Sequence, residues 1–168
     1  MVVSHEDFKH ALSKFATGVT ILTAGAAKSL YATTVNAFSS VSLNPPLCSV
    51  CLSYESDTYA YLAQMRPVHY VINILTTEQQ LLAQLCASPI KPWHLMNLLK
   101  VDYGTYRIGG SLVSLVCVKS EEVRAGDHAV IIGEVIDLFV SNSSLSPLTY
   151  YSKEFGTVID FDHFSQLT

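Results

Sequence analysis

Between Ala32 and Leu52 the chain reads Ala-Thr-Thr-Val-Asn-Ala-Phe-Ser-Ser-Val-Ser-Leu-Asn-Pro-Pro-Leu-Cys-Ser-Val-Cys-Leu. Two β-rich runs flank a hydroxyl-dense connection that closes on a Pro-Pro break. No helix passes through those prolines, and the β-branched and apolar residues on either side favour strands. The stretch has no Asp, Glu, Lys or Arg. Thr33, Thr34, Ser39, Ser40 and Ser42 offer neutral hydroxyls, and Asn36 adds an amide that both donates and accepts. Such a surface suits a ligand that joins a phosphate to a flat heteroaromatic ring. Hydroxyls are also common in turns and at strand edges, so by themselves they leave site and turn both open.

Around this segment the pattern is mostly β. Ser4 to Phe15 reads as a short helix: Ser4 is a suitable N-cap, and Phe8, Ala11, Leu12 and Phe15 repeat at helical spacing. Strands are expected over Gly18–Thr23, Leu30–Ala37, Leu47–Ser53 and Val68–Leu75, with a turn at Ala24–Ser29. A second helix is expected from Ser56 to Gln64, ended by Arg66-Pro67. A third is capped by Thr77 and runs to Ala87. Ser88–Gly110 is the least regular stretch. Two long β-runs, Ser111–Arg124 and His128–Val140, precede a Ser/Asn linker over 141–146 and a last strand near Leu148. Strands with three helices among short connections predict a mainly β barrel with helices packed on it.

Length and composition bound the rest. The 168 residues suit one domain spanning 1–168. Charged residues are 14% and hydrophobic residues 49%, against about 25% charged in an average domain. So apolar a chain is expected to cover part of its surface with a second copy, as a homodimer. Net charge is −4 and the cations are scattered, so no nucleic-acid stripe is expected. No apolar run approaches the ~18 residues of a membrane span. The acidic N-terminal stretch is unlike a signal peptide, which predicts a cytoplasmic chain.

Cys48 and Cys51 form a C-x-x-C, which invites a zinc or redox reading. Their odd separation within a strand sends the two side chains to opposite faces. No second ligand pair accompanies them, so buried free thiols and no metal site are expected. His5, His10, His69, His94 and His163 form no ligand-spaced cluster. His128 stands out differently, at a strand start beside the tight turn Gly126-Asp127, where a side chain projects from a barrel rim. Asp127 reads as a turn residue capping its own backbone. There is no Gly-x-Ser-x-Gly, His-Glu-x-x-His or Gly-x-Gly-x-x-Gly.

The run Thr34-Val-Asn-Ala-Phe-Ser-Ser-Val-Ser-Leu-Asn-Pro-Pro-Leu resembles the signature of the short-chain flavin reductases, whose fold is the FMN-binding split β-barrel with peripheral helices. Phe15-Ala-Thr-Gly-Val-Thr-Ile-Leu-Thr is similar to that family's opening strand. Val71-Ile-Asn-Ile-Leu with Gln79 and Leu82-Ala83 is similar to its central strand and helix. Ala125-Gly-Asp-His-Ala-Val-Ile-Ile-Gly-Glu-Val is similar to its late strand, and Pro147-Leu-Thr-Tyr-Tyr to its closing segment. The blocks follow the family's order from about Phe8 to Phe155.

The resemblance implies an NAD(P)H:flavin oxidoreductase that reduces FMN or FAD with NADH or NADPH. It would pass reduced flavin to a partner monooxygenase and act as a homodimer. Such chemistry needs no nucleophile, because the cofactors are reactive and the protein binds, orients and shields them. On this reading Thr33, Thr34, Val35 and Asn36 line the flavin ring and ribityl chain, largely through backbone groups. Ser39, Ser40 and the segment Ser49, Val50, Cys51, Leu52 flank them, with Ser56 and Thr58 near the phosphate. Ser56 begins a helix, where an anion site and simple N-capping are both open. His128 is expected to orient the nicotinamide, and Tyr150, with Tyr151 as a neighbour, to wall the same pocket. An alternative is a flavoprotein that retains its FMN and relays electrons to a protein partner; another is a barrel that binds flavin without turnover.

Three features depart from the pattern. Tyr31-Ala32 stands where the family usually has Gly, which would set a methyl group close to the ring site. Cys86 to Trp93 lacks the acidic, Lys-Phe pattern, and Tyr106-Arg-Ile-Gly-Gly110 replaces a Pro-containing approach. Together these bear on the loop expected to cover the nicotinamide, and with it on the nucleotide preference.

Overall fold

The computed structural model describes residues 3–26, 29–64, 67–89, 91, 93–142 and 144–159. The turn expected at Ala27 and Lys28, the break at Arg66, Ser143 of the linker, His163 and both ends of the expected 1–168 domain lie outside the described residues.

The chain begins with α1 (His5–Leu12), whose first turn is held by Ser4 Oγ accepting from Asp7 N–H at 3.1 Å. Five strands follow: β1 (Thr17–Gly18), β2 (Thr20–Ala24), β3 (Tyr31–Val35), β4 (Phe38–Leu43) and β5 (Pro46–Ser53). Then come α2 (Asp57–Gln64), β6 (His69–Ile74), a 3₁₀ turn over Thr77–Gln79 and α3 (Gln80–Cys86). After a further 3₁₀ turn at Trp93–Leu95, the small hairpin of β7 (Leu98–Lys100) and β8 (Tyr106–Ile108) follows. Two hairpins follow, β9 (Val113–Ala125) with β10 (His128–Val140), then β11 (Leu148–Tyr151) with β12 (Glu154–Thr157).

Seven strands form one antiparallel sheet in the order β3-β2-β6-β9-β10-β5-β4. Its two ends are not paired to each other; β3 comes to face β5 across an open gap. This is a mainly β fold with peripheral helices, an unclosed barrel as expected. β1, β11 and β12 form a separate three-stranded sheet.

Two apolar clusters meet across β2. Leu22 belongs to the barrel interior with Val50, Leu52, Tyr70, Ile72 and Ile131. Ile21 faces the other way, packing with Ala32, Leu75, Ala83 and Cys86 under α3. Buried on both faces, β2 shows no polar alternation. β5 has core on one face only and alternates: Cys48, Val50 and Leu52 are buried, while Ser49, Cys51 and Ser53 are half-buried. The C-x-x-C therefore splits across the sheet. Cys48 instead lies 3.6 Å from Cys117, sulfur to sulfur, and all four cysteines are free thiols.

A buried asparagine ties the strands together. Asn73 Nδ2 donates to Ile21 O (2.9 Å) and Thr23 Oγ1 (3.2 Å), and its Oδ1 accepts from Ile108 N–H (2.8 Å) and Ser114 Oγ (2.9 Å). One amide with its full complement of bonds thus joins β6 to β2, β8 and β9.

Three expectations need correction. Phe38–Leu43 is a strand, not a connection: it pairs with β5, with a register shift between Ser40 and Ser42. As the sheet's end strand it tolerates the exposed hydroxyls that read as turn markers. The third helix starts one residue earlier, with Thr76 at the N-cap and its N–H donating to Gln79 Oε1 at 3.1 Å. The irregular stretch from Ser88 contains β7 and β8, and β12 follows the last expected strand.

Candidate functional site

Where the sheet fails to close, β3 and β5 line a cleft of about 260 Å³. Thr33 to Ala37 form one wall, Cys51, Leu52 and Ser53 the other, and Ser56 stands at one end with His128 near the other strand start. Because β3 is an end strand, one edge of its backbone has no strand partner among the described residues. Those amide groups need hydrogen bonds from somewhere, and a planar ligand with donors and acceptors along its edge supplies them.

Local sequence explains each position. Gly126 takes φ +61° as the first central residue of the two-residue turn between β9 and β10, a conformation that favours glycine in such hairpins. His128 is then the first residue of β10, opposite Ser53 of β5. Its Nδ1 lies 2.8 Å from Asp127 Oδ1. This hydrogen bond to His128, then a backbone hydrogen bond and the nearby ring charge, hold the Asp127 carboxyl below the usual carboxylate range. Asp127 thus partners the histidine, where the sequence suggested only a turn cap; nothing local marks a contact that depends on the turn's geometry.

A second cleft, about 750 Å³, lies between α1 and the barrel rim. His5, Phe8, Lys9 and Leu12 of α1 face Asn36, Asp127, His128, Tyr150 and Lys153 across it. Asn36 and His128 border both this cleft and the one in the barrel gap, so the two adjoin. A third, about 380 Å³, is lined by Thr34, Asn36, Ala83, Gln84, Ala87, Tyr150 and Phe155 among others.

The expected site residues separate into groups. Thr33, Thr34, Val35, Asn36, Cys51, Leu52, Ser56 and His128 border the gap cleft together. Val35 and Leu52 have buried side chains there, so backbone is what they can offer. Thr34 Oγ1 donates to Ala83 O at 2.6 Å, which spends its proton on α3 and leaves the oxygen as an acceptor. Ser56 Oγ accepts from Tyr59 N–H at 3.0 Å, a helix cap, and Ser56 still borders the cleft. Tyr150 borders the second and third clefts, packed edge-on against Phe155, whereas Tyr151 lines none of these clefts.

Others do not join them. Val50 is fully buried in the barrel interior, and Thr58 is 3% exposed on α2. Ser39, Ser40 and Ser49 lie on β4 and β5 outside these clefts, the first two exposed. Ala32 is 1% exposed and its methyl packs under α3, away from the gap. Of the described residues in the divergent 86–110 stretch only Ala87 borders these clefts; Leu95, Asn97, Ile108 and Gly109 line a different hollow beside Gln79. Among the described residues no three His, Cys, Asp or Glu side chains gather as metal ligands, and no helix is long and apolar enough to cross a membrane.

The family model of the flavin reductase like domain matches residues 12–158. The chain belongs to this family. Among curated members of the flavin reductase family, the NADH-using FMN reductase SmoA of Agrobacterium fabrum is 32% identical over 149 residues, covering 89% of this chain and 83% of its own length. The reductase component of the 4-nitrophenol 4-monooxygenase/4-nitrocatechol 2-monooxygenase of Rhodococcus opacus is 29% identical, with 92% and 82% covered. The crystal structure of BorF, the flavin reductase component of a bacterial two-component tryptophan halogenase, superposes with a TM-score of 0.85 at 28% identity, covering 94% of this chain and 99% of that one.

Proposed function

We propose that this protein is an NAD(P)H-dependent flavin reductase that reduces FMN or FAD and releases it to a partner monooxygenase. The supporting observation is the pair of adjoining clefts that share Asn36 and His128 in their walls. Hydride transfer needs two flat rings stacked at about 3–3.5 Å, and two adjoining clefts give each ring its own approach. The gap cleft alone falls near the lower end of the roughly 300–1,000 Å³ typical of small-molecule sites. The adjoining cleft adds about 750 Å³ beside it.

The residues fit a flavin in the gap. Backbone groups of Thr33 to Asn36 meet the ring edge, Asn36 adds a side-chain amide, and Ser56 at the start of α2 stands where a phosphate gains from the helix N-terminus. The nicotinamide is the hydride donor and the bound flavin the two-electron acceptor. This chain's part is to hold them. His128, hydrogen-bonded through Nδ1 to Asp127 and bordering both clefts, orients the nicotinamide, while Tyr150 walls the approach. An open cleft with exposed Asn36 favours exchangeable over retained flavin.

We further propose that a single domain acts as a homodimer in the cytoplasm. Val41 and Leu43 on the end strand β4 are 50% and 93% exposed, and Leu138 and Val140 on β10 are 54% and 65% exposed; a second copy would cover such residues. Four free thiols suit a reducing compartment.

The test is to mix the purified protein with NADH or NADPH and excess FMN or FAD, following absorbance at about 340 nm, where the reduced nicotinamide that the protein orients is read. Turnover that scales with added flavin is the expected result. A yellow protein that never exchanges its flavin would identify an electron carrier instead.

A further inference from the structure

We infer that Lys9 and Lys153 hold the diphosphate linkage of the nicotinamide dinucleotide, on the wall of the α1 cleft opposite His128. The inference rests on the flavin reductase reading and adds to it the subsite for the dinucleotide's distal half.

The argument starts from α1. Residues 5, 8, 9 and 12 share one helix face, and all four line the cleft. No residue of α1 is buried; Phe8 and Leu12 are 55% and 56% exposed. This face therefore looks across open space toward Tyr150 and His128 instead of packing on the core. The helix is nonetheless fixed in place. Ser152 N–H donates to Ser13 O at 2.7 Å, Lys14 Nζ donates to Ser152 Oγ at 2.8 Å, and Lys14 lies over the Tyr151 ring. These contacts join the end of α1 to the β11–β12 turn, where Ser152 and Lys153 take φ +50° and +68°. That turn is what brings Lys153 to the cleft.

Charge then selects the ligand. The ionisable groups on the cleft are His5 and Lys9 from α1, Asp127 and His128 at the β9–β10 turn, Tyr150 of β11 and Lys153 from the β11–β12 turn. Asp127 is engaged with His128. Among the described residues neither Lys9 nor Lys153 has a carboxylate partner, in a chain of net charge −4. Two unpaired ammonium groups in one cleft attract a dianionic linkage. A nicotinamide ring set at His128 leaves its diphosphate to extend along this same cleft. The apolar side chains of Phe8 and Leu12 then offer a surface for the adenine.

The experiment compares two hydride donors with FMN as acceptor: NADH, and 1-benzyl-1,4-dihydronicotinamide, which has the same reacting ring and no phosphate. Lys9→Gln, Lys153→Gln and the double variant are measured against the parent, with Lys153→Arg as the conservative control. Both lysines are exposed, so folding is not at risk. The ratio of kcat/KM for NADH to that for the phosphate-free donor is expected to fall about fivefold per lysine at low salt. The fall should shrink as salt screens the charges, and Lys153→Arg should restore most of the ratio. An unchanged ratio overturns the inference, as does an equal loss for both donors, which would mean the lysines only shape the cleft. Weaker FAD affinity with an unmoved NADH ratio also overturns it and assigns the pair to the flavin's own diphosphate. If the parent protein reduces flavin with neither donor, it is the reductase reading that fails.

Discussion

Two asparagines divide this molecule. Asn73 is fully buried with all four of its hydrogen-bonding positions occupied, and it joins four strands. Asn36 is exposed and borders four clefts. The side chains are identical; their surroundings decide their tasks. Where the sheet is continuous, Asn73 is satisfied internally and gives strength. Where it fails to close, Asn36 stays available for a ligand.

The largest expected effect follows from breaking the saturated side. Asn73→Leu leaves Ile108 N–H and Ser114 Oγ without their acceptor in a dry interior. About 3 kcal/mol or more of stability is lost, given roughly 1–3 kcal/mol per buried group left unsatisfied. Urea unfolding measures it. Asn36→Ala should shift stability by no more than about 0.5 kcal/mol, as an exposed position does. It should weaken flavin binding roughly three- to tenfold, the worth of one hydrogen bond. Equal destabilisation by the two substitutions would erase the contrast.

The barrel interior near Gly133 sharpens the comparison. A Cβ added there would lie 2.8 Å from Cζ of the fully buried Tyr70 ring, and closer still to its hydroxyl oxygen. Gly133→Ala therefore forces overpacking, costing about 1–3 kcal/mol. Tyr70→Phe in the same chain should recover part of that loss by removing the oxygen. At Gly126, by contrast, an added Cβ meets nothing within 4 Å, and the requirement is its φ of +61°. One glycine is needed for space and the other for backbone conformation.

On the open side, His128→Ala should raise KM for the nicotinamide while flavin affinity is largely kept. Titrating each ligand separately reads this out. Loss of flavin affinity alone would put the imidazole on the other side of the shared region.

What could be read from the chain beforehand follows the same division. The Ser4 cap, the alternation of β5 and the start of β10 at His128 are local: each is written in a few neighbouring residues. β4 was hidden because its exposed serines look like turn residues until it is known to be a sheet's end strand. Thr33, Thr34 and Asn36 were identified as site candidates from their residue types, but which hydroxyl is already engaged depends on α3 arriving beside β3. The cleft behind α1 was illegible for the same reason. Its apolar repeat reads as a core-facing helix, and only the tether to the β11–β12 turn turns that face toward His128.

The smallest loss among the structural bridges is expected at the edge between the two regimes, on the β9–β10 hairpin. Glu122 Oε2 lies 2.5 Å from Lys119 Nζ, and its Oε1 accepts from Tyr59 Oη at 2.8 Å, linking α2 to β9. The Lys119 hydrogen bond, then that of Tyr59, holds its carboxyl below the usual range. A carboxyl lowered by folding stabilises the native state at pH above its unfolded value of about 4.3, and that stabilisation is lost as pH falls through the lowered native value. Glu122→Gln should therefore cost about 1 kcal/mol at neutral pH and progressively less under acid. Stability curves of parent and variant should converge on acidification. Curves that stay parallel would mean the carboxylate contributes packing and no charge.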